Sequence, residues 1–358
     1  MSASINRSQQ RPRHSLAGIR ISGVGVEVPT RVVTSAEVEQ RAQLHERFGL
    51  EAGWLERVTG VKERRWADPE VQPSRLAAAA GIRALEDADV DPREIDTLVF
   101  AGITRDCLEP ATANLVAEQV GARNARVFDL INACNSLIDA VDVADSLIRS
   151  GKAERVLVAT GERASLAINW KPSTIEEMVH AVAGFVVGDG GGALVVERSD
   201  DPQRGFCERE FRSDATQWRH AIAGELHPAN PCECCGGILD HRFRCDGKAL
   251  FESALALIRP TVETVMERTG WDYGELDVVF CHQPTKRFID NAIPLLGDVA
   301  RATKKLWITA DRLGNTSTCS LPIAMSEARA AGALVPGARV LVVAPSSGIS
   351  AACLTLVW

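Results

Sequence analysis

The chain has 358 residues, of which 46% are hydrophobic and 24% charged, a composition typical of globular proteins rather than disordered chains. Its formal net charge of −7 argues against a nucleic-acid-binding surface. The longest apolar runs, such as residues 340–344, are far shorter than the ~18 residues that a membrane span needs. These features predict two domains, or one two-lobed domain, without nucleic acid or membrane as a partner.

The first residues and the cysteines bear on the cellular compartment. Residues 1–17 are polar, contain several arginines and lack an apolar core, which predicts a flexible tail rather than a signal peptide. Ten cysteines without a secretory signal indicate free thiols in a reducing compartment. We therefore expect a cytoplasmic enzyme.

One succession of elements occurs twice along the chain. Residues 74–88 have apolar residues at helical spacing and precede a turn and an apolar strand at residues 95–102. Residues 255–269 and 276–281 repeat this succession. Three pairs of similar segments lie at nearly equal separations: 181 residues between Asp96 and Asp277, 184 between Arg155 and Arg339, and 183 between Asn132 and Asn315.

These separations predict two copies of one α/β unit. We assign residues 18–199 to the first copy and residues 247–358 to the second, with an inserted Cys- and His-rich segment at residues 200–246. Short Val- and Leu-rich strands that alternate with helices favour sheets that are buried on both faces.

Cys134 is the first candidate for chemistry. An apolar strand at residues 127–131 leads through a short turn into a segment with apolar residues at helical spacing, which places the cysteine at a helix N-terminus. Free amides and the helix dipole there would lower the thiol pKa and create a nucleophile. The alternative is a buried structural cysteine, which is a common occurrence.

His282 and Asn315 extend this candidate site. His282 follows the apolar strand at residues 276–281, and strand ends are where α/β proteins place their sites. Asn315 mirrors the Cys134 turn in the second copy. A lone histidine after a strand is more often structural, but Cys, His and Asn at repeat-related strand ends indicate a cysteine acyl-transfer site.

Several motifs carry a resemblance to a known family: NACNS, CHQPTKRFI, LGNTSTCSLP, GDGGGALVV and WLERVTGVKERRWADPE. They resemble the thiolase superfamily and, within it, the β-ketoacyl-acyl-carrier-protein synthase III type, over residues 19–358. The resemblance implies an α/β protein with the duplicated, five-layered αβαβα thiolase fold, usually a homodimer. It also implies carbon–carbon bond formation between acyl thioesters of coenzyme A or acyl carrier protein, with no cofactor.

The resemblance assigns a role to each candidate. Cys134 becomes the acyl-accepting nucleophile, while His282 and Asn315 donate hydrogen bonds that stabilise the enolate of the second substrate. The backbone amides of Cys134 and Ser347 become the oxyanion hole for the first acyl group.

Three further residues match substrate-docking positions of the family. Trp54 and Arg57 resemble coenzyme A-binding residues, although Arg57 stands one place before the family's basic residue, where this chain has Val58. Arg287 matches a residue that docks the acidic carrier protein, and an ordinary surface arginine is the alternative.

Glu109 marks a departure from synthase III. In RDCLEPATAN it occupies a position that is usually apolar, and the segment resembles the thiolase-like enzyme of bacterial head-to-head olefin biosynthesis. That likeness implies that Glu109 reaches into the partner subunit's site as a base. A carboxylate can remove an α-proton, so the second substrate need not be a malonyl thioester. Alternatively, Glu109 caps a turn before Pro110 in a solvated loop.

The inserted segment is a weak candidate for a metal site. Thiolates and imidazoles suit zinc, but the run CECC lacks the usual C-x-x-C spacing, and we expect clustered free thiols without metal. The residues concerned are His227, Cys232, Cys234, Cys235, His241 and Cys245.

The sequence thus predicts a condensing enzyme of fatty-acid-like or secondary metabolism that acts through an acyl-cysteine. One alternative is a non-condensing acyltransferase of the same fold, which would not need the enolate-stabilising Asn315. Another is an inactive partner subunit of a heterodimer, which would not need an intact set of Cys, His and Asn.

Overall fold

The computed structural model describes residues 18–226, 239–240 and 242–358. The strands are β1 (Ile19–Glu27), β2 (Arg31–Thr34), β3 (Glu63–Trp66), β4 (Thr97–Phe100), β5 (Arg126–Asp129), β6 (Arg155–Glu162), β7 (Gly190–Arg198), β8 (Gly205–Ser213), β9 (Ala221–Ile222), β10 (Glu225–Leu226), β11 (Leu239–Asp240), β12 (Arg244–Cys245), β13 (Val278–Cys281), β14 (Arg339–Ser346) and β15 (Ser350–Val357).

The helices fall between these strands. They are α1 (Ser35–Arg41), α2 (Leu44–Phe48), α3 (Trp54–Thr59), α4 (Pro73–Ala88), α5 (Thr112–Val120), α6 (Ser136–Arg149), α7 (Ile175–Phe185), α8 (Gly247–Thr269), α9 (Lys286–Ala292), α10 (Ala310–Leu313) and α11 (Ser320–Ala330). Short 3-10 turns lie at Pro92–Glu94, Ala164–Ala167, Ala215–His220, Tyr273–Glu275, Ile293–Leu295, Gly297–Lys305 and Ser317–Cys319. Of the helices in the described part of the chain, none combines the length and apolarity needed to span a membrane.

Two mixed sheets repeat one topology. The first has the strand order β1-β7-β6-β4-β5, and the second has the order β8-β15-β14-β13. In both, one pair is parallel (β4 with β6, β13 with β14), and the pairs from there towards β1 and β8 are antiparallel. A single parallel bridge between Val279 and Leu306 takes the place that β5 has in the first sheet. The structure therefore contains the predicted duplication.

The sheets and helices stack in five layers. Helices α6 and α11 pack between the two sheets in the largest apolar cluster, α4 and α5 cover the outer face of the first sheet, and α8 covers the outer face of the second. The middle of strand β6 is apolar because both of its faces are buried. Val156 and Val158 face the central helices, whereas Leu157 and Ala159 face α4, because successive side chains of a strand point to opposite faces. This is the αβαβα thiolase fold that the sequence predicted.

The second copy begins earlier than the sequence indicated. Strand β8 falls inside the predicted insertion of residues 200–246, yet it pairs with β15 as an edge of the second sheet, in the place that β1 has in the first. Its sequence, GFCEREFRS, is mostly polar because much of an edge strand contacts solvent. The predicted tail, residues 1–17, lies outside the described residues.

Candidate active site

Cys134 lies where a strand leads into a helix. Strand β5 ends at Asp129, and α6 begins at Ser136, two residues after the cysteine. Ala133, immediately before it, has a φ of 48°, a left-handed conformation that residues other than glycine seldom adopt. The cysteine is therefore presented at the beginning of α6 by a tight turn of the backbone.

The predicted lowering of the Cys134 pKa is wrong. Burial raises the pKa of this thiol to about 12, because a thiolate would lose its hydration, and the charge of Glu162 adds to the effect. Hydrogen bonds from Ser317 and Ser346 lower the pKa only in part. The resting site therefore holds a neutral thiol, and another group must accept its proton when the sulfur attacks.

Alkylation of Cys134 is accordingly expected to show no plateau between about pH 6 and pH 9. Because the thiolate reacts and the pKa is raised to about 12, the rate should rise about tenfold for each pH unit. The measurement is the rate of iodoacetamide modification of the peptide that contains Cys134, with glutathione as the reference thiol. A rate that levels off below pH 8 would contradict a raised pKa.

At the site, corresponding residues of the two copies are 184 positions apart in the sequence. Ala133 and Ser317 share the left-handed conformation, with φ values of 48° and 51°. The Ser136 hydroxyl donates to the Ala133 carbonyl at 2.6 Å, and the Ser320 hydroxyl donates to the Ser317 carbonyl at 2.8 Å. The predicted offset of 183 at this turn is therefore one residue short, and Thr318 is the counterpart of Cys134.

The segment from Asn315 to Ser320 connects the three candidate catalytic residues. The Ser317 hydroxyl lies 4.0 Å from the Cys134 sulfur, and the Ser317 amide donates to Asn315 Oδ1 at 2.9 Å. Ser320, bound to the Ser317 carbonyl, also lies 3.1 Å from His282 Nδ1. Cys134, Asn315 and His282 are thus joined through two serines of one short segment.

The hydrogen bonds around His282 favour a proton on Nδ1 in the resting site. The single Ser320 proton goes to the Ser317 carbonyl, so Ser320 Oγ accepts a hydrogen bond from His282 Nδ1. Burial lowers the pKa of His282 to about 4, which keeps the ring neutral near pH 7. In this state Nε2 carries a lone pair and can accept a proton.

Asn315 is held by its backbone, which leaves its side-chain amide free to donate. Its N–H donates to the Val186 carbonyl and its carbonyl accepts from Gly188, both at 2.9 Å. Only glycine permits this approach at position 188, because a Cβ there would lie 2.3 Å from the Leu313 carbonyl oxygen. With Oδ1 occupied by Ser317, Asn315 Nδ2 donates to no other described group.

The turn between β14 and β15 flanks the Cys134 turn. The Ser346 hydroxyl donates to the Asn132 carbonyl at 3.3 Å, and Asn135 Nδ2 donates to the Ser350 hydroxyl at 2.9 Å. Ser347 lies between these two attachments and is half-buried. The structure thus places Ser347 on the segment that borders the nucleophile.

Glu109 lies on a loop that protrudes between β4 and α5. The loop is fastened at its start by hydrogen bonds to Glu162 and at its end by Asp129, which accepts from the first amides of α5. In its middle, Asp106 accepts from Ser74. The residues between these anchors project outwards, and Leu108 is 75% exposed.

The Glu109 carboxylate is exposed and makes no hydrogen bond or ion pair with any residue that the structure describes. It therefore has no hydrogen bond or ion pair with Cys134, His282 or Asn315 of its own subunit. The alternative of a solvated loop residue agrees with this exposure, but Glu109 caps no turn among the described residues, where the amides at the start of α5 bind Asp129 instead.

Comparison with known proteins identifies the family. The sequence pattern described as 3-oxoacyl-[acyl-carrier-protein (ACP)] synthase III matches residues 128–215, and its C-terminal pattern matches residues 266–358. The β-ketoacyl-[acyl-carrier-protein] synthase III of Desulfitobacterium hafniense is 31% identical over 346 residues, which cover 96% of this chain and 98% of the relative. The chain belongs to the synthase III family.

Solved structures agree with this membership. A glutamate-to-alanine variant of Xanthomonas campestris OleA has a TM-score of 0.87 at 25% identity, with 97% of this chain and 100% of that chain covered. The 3-oxoacyl-[acyl-carrier-protein] synthase III of Aquifex aeolicus has a TM-score of 0.80 at 30% identity, with 95% and 100% covered. This synthase III-family chain is therefore a condensing enzyme of the thiolase superfamily that also resembles OleA.

In this synthase III-family chain, the three predicted docking residues lie on adjoining helices. Trp54 begins α3, and Arg57 follows on its exposed side, where it pairs with Glu51 at 3.2 Å. Arg287 on α9 donates from Nε to the Arg57 carbonyl at 3.3 Å. His282 directly follows β13, and α9 begins four residues later. The two arginines therefore lie on helices close in sequence or contact to the histidine's segment.

The candidate metal residues are only partly described. Cys232, Cys234 and Cys235, together with His227 and His241, lie outside the described residues. Cys245 is buried in β12, which pairs with β9, and burial raises the pKa of its thiol to about 12. Within residues 18–226, 239–240 and 242–358, no three His, Cys, Asp or Glu side chains form a group that could hold a metal ion.

Sequence reasoning missed the side chains that support the three candidate catalytic residues. Ser317, Ser320 and Ser346 contact or connect them, and Glu162 lies buried nearby at the end of β6. One signal was present: Glu162 ends an otherwise apolar strand, and a buried carboxylate requires specific donors. The serines carry no such signal in a single sequence.

Proposed function

We propose that the protein joins two acyl thioesters by Claisen condensation through an acyl intermediate on Cys134. The observation that supports this most strongly is the segment from Asn315 to Ser320, which links a thiol, a neutral histidine and a free amide donor. A nucleophile, a proton acceptor and an enolate-stabilising donor are the groups that this reaction requires.

In the first step, Cys134 takes the acyl group. Its thiol proton passes to His282 Nε2 as the sulfur attacks the thioester carbonyl, and the amides of Cys134 and Ser347 stabilise the oxyanion. The carbon–sulfur bond to the carrier then breaks, and the departing thiolate takes the proton from His282. Because its pKa is lowered to about 4, His282 is neutral near pH 7 and so has a lone pair for the proton, and its protonated form readily returns that proton to the departing thiolate.

In the second step, an enolate attacks the acyl-cysteine. Asn315 Nδ2 donates to the enolate oxygen. His282 does so after it has exchanged its Nδ1 proton for one on Nε2 through the water that enters when the carrier thiol leaves. The Ser320 hydroxyl can serve both tautomers, because it can either accept from Nδ1 or donate to it. The new carbon–carbon bond forms as the bond to Cys134 breaks.

Glu109 of a second subunit supplies the base in this proposal, which requires a homodimer. The exposed carboxylate on a protruding, well-anchored loop suits a group that acts outside its own subunit. The proton that Glu109 removes from the α-carbon ends on the released Cys134 thiol. With a malonyl thioester, loss of carbon dioxide would generate the enolate without this base, and solvent would supply the proton.

We propose acyl-coenzyme A or acyl carrier protein as the donors. The exposed Arg57 and Arg287 beside Trp54 suit phosphate groups or an acidic protein surface. No cofactor takes part in either step. The free Asn315 amide favours condensation over simple acyl transfer, which has no enolate to stabilise.

Product analysis tests this function. The wild-type protein is incubated with acyl-coenzyme A thioesters of increasing length, each alone and with malonyl thioester, and the products are separated by mass spectrometry. We expect β-keto products in at least one series. Acyl transfer to alcohols or amines, or hydrolysis alone, would contradict condensation.

Replacing His282 or Asn315 is expected to affect the second step most. Asn315→Ala should still load Cys134 but condense about 100-fold more slowly, the usual loss for one oxyanion donor. His282→Ala should show a similar loss of condensation and, because His282 accepts the thiol proton, slower loading as well. Single-turnover measurements of loading and of product formation separate the effects. Normal condensation in both variants would contradict enolate stabilisation by these residues.

A further inference from the structure

Glu162 is a fully buried carboxylate that no ion pair balances among the residues described. Each of its oxygens instead lies near one backbone amide and one hydroxyl. Oε1 accepts from Ile103 N at 2.9 Å and from Thr318 Oγ1 at 2.7 Å. Oε2 accepts from Thr104 N at 3.1 Å and from Thr104 Oγ1 at 2.9 Å. Four donors thus surround this one side chain.

These donors come from two different parts of the site. Ile103 and Thr104 begin the loop that carries Glu109, whereas Thr318 belongs to the segment that carries Asn315. Thr318 is further fixed by Thr160, whose hydroxyl lies 2.5 Å away. Glu162 is therefore a direct connection between the loop of the proposed base and the segment of the proposed enolate donor.

The internal repeat shows that strand packing does not require a carboxylate here. In the 184-residue register, Glu162 is the counterpart of Ser346, and Thr318 is the counterpart of Cys134. The Ser346 hydroxyl reaches only the backbone of the Cys134 turn and the thiol itself. Where one copy has a hydroxyl beside its nucleophile, the other has a carboxylate that extends to a second loop.

We propose that Glu162 is a positioning residue for condensation, which aligns the Glu109 loop with the Asn315 segment. This inference rests on the proposed function. Acylation of Cys134 uses neither Glu109 nor Asn315, so the connection made by Glu162 serves the second step, and Glu162 acts on the first only through its charge near the Cys134 thiol. The connection acts through two hydrogen-bonded anchors, and Glu162 itself touches no substrate.

Glu162→Gln is the most direct test because the two side chains have the same shape. In either orientation, the glutamine NH₂ group faces a backbone N–H, of Ile103 or of Thr104, and that hydrogen bond is lost. We expect loading of Cys134 within about threefold of the wild-type rate and condensation slowed at least about tenfold, as for the loss of one charge-assisted hydrogen bond. Asp145→Asn is the matched control, because Asp145 is an equally buried carboxylate that binds Arg149 and Arg209 on α6 and β8.

Thr104→Val and Thr318→Val test the two connections separately and keep the proposal testable if Glu162→Gln fails to fold. Each should slow condensation more than loading, and their combined effect should be less than the product of the single effects, because one residue carries both connections. Equal slowing of loading and condensation, or strictly multiplicative effects, would overturn the positioning role. If the wild-type protein forms no β-keto product at all, the proposed function fails instead.

Discussion

The Cys134→Ala variant is expected to take up no acyl group from any acyl thioester. The sulfur is the nucleophile of the first step, and the methyl group that replaces it cannot form a thioester. The Cys134 backbone, with its place before α6, does not depend on the sulfur, so the variant should remain folded. Intact-mass spectrometry after incubation with acyl-coenzyme A measures the effect as the disappearance of the acyl adduct.

Cys207→Ala is the matched control for that experiment. Cys207 is a half-buried thiol on β8, away from the segment that carries Asn315 and Ser317, and its loss should leave acylation unchanged. An adduct that persists on another cysteine of the Cys134→Ala variant would show that the nucleophile is misassigned.

Glu109→Gln is expected to stop condensation of two non-malonyl thioesters while Cys134 still becomes acylated. Glutamine preserves the size and the polar contacts of the side chain but cannot accept the α-proton, and loss of a general base costs about 10²- to 10⁴-fold in rate. Exchange of deuterium from solvent into the α-carbon of the second substrate reports the same proton transfer, and it should fall together with product formation.

Glu118→Gln on α5 controls for the loss of an exposed negative charge close to Glu109 in the sequence, and it should retain full activity. Two results together would contradict the role of Glu109 as the base. If Glu109→Gln is fully active with a malonyl thioester, and the wild-type protein uses no other second substrate, then Glu109 is an ordinary loop residue and condensation is decarboxylating.

Features that depend on periodicity and repetition could be predicted from the sequence. The apolar run of β6 and the helical spacing of α4 predicted layers that are buried on both faces, and the recurrence of segments after about 180 residues predicted two sheets. Their repeat-related strand ends and then the family resemblance brought Cys134, His282 and Asn315 into one hypothesis, and the structure connects all three through Ser317 and Ser320.

The pKa of a site residue and the place of a strand at a sheet edge could not be predicted from periodicity and repetition. The pKa of Cys134 is set by the balance between burial and the helix start, and burial is the larger effect, which a sequence does not reveal. Strand β8 is polar because it lies at a sheet edge, so its sequence does not resemble the apolar strands by which the repeat is recognised. The connections of Glu162 join residues that are 58 and 156 positions away.

The most direct test of the central claim follows one acyl group from Cys134 into the product. The protein is loaded with an isotopically labelled acyl-coenzyme A, freed of excess donor, and mixed with an unlabelled second thioester, malonyl or non-malonyl. The account predicts that the label leaves Cys134 at the same rate at which a labelled β-keto product appears, in equal amounts. Loss of the label as free acid or as an ester or amide, with no β-keto product from either second substrate, would contradict it.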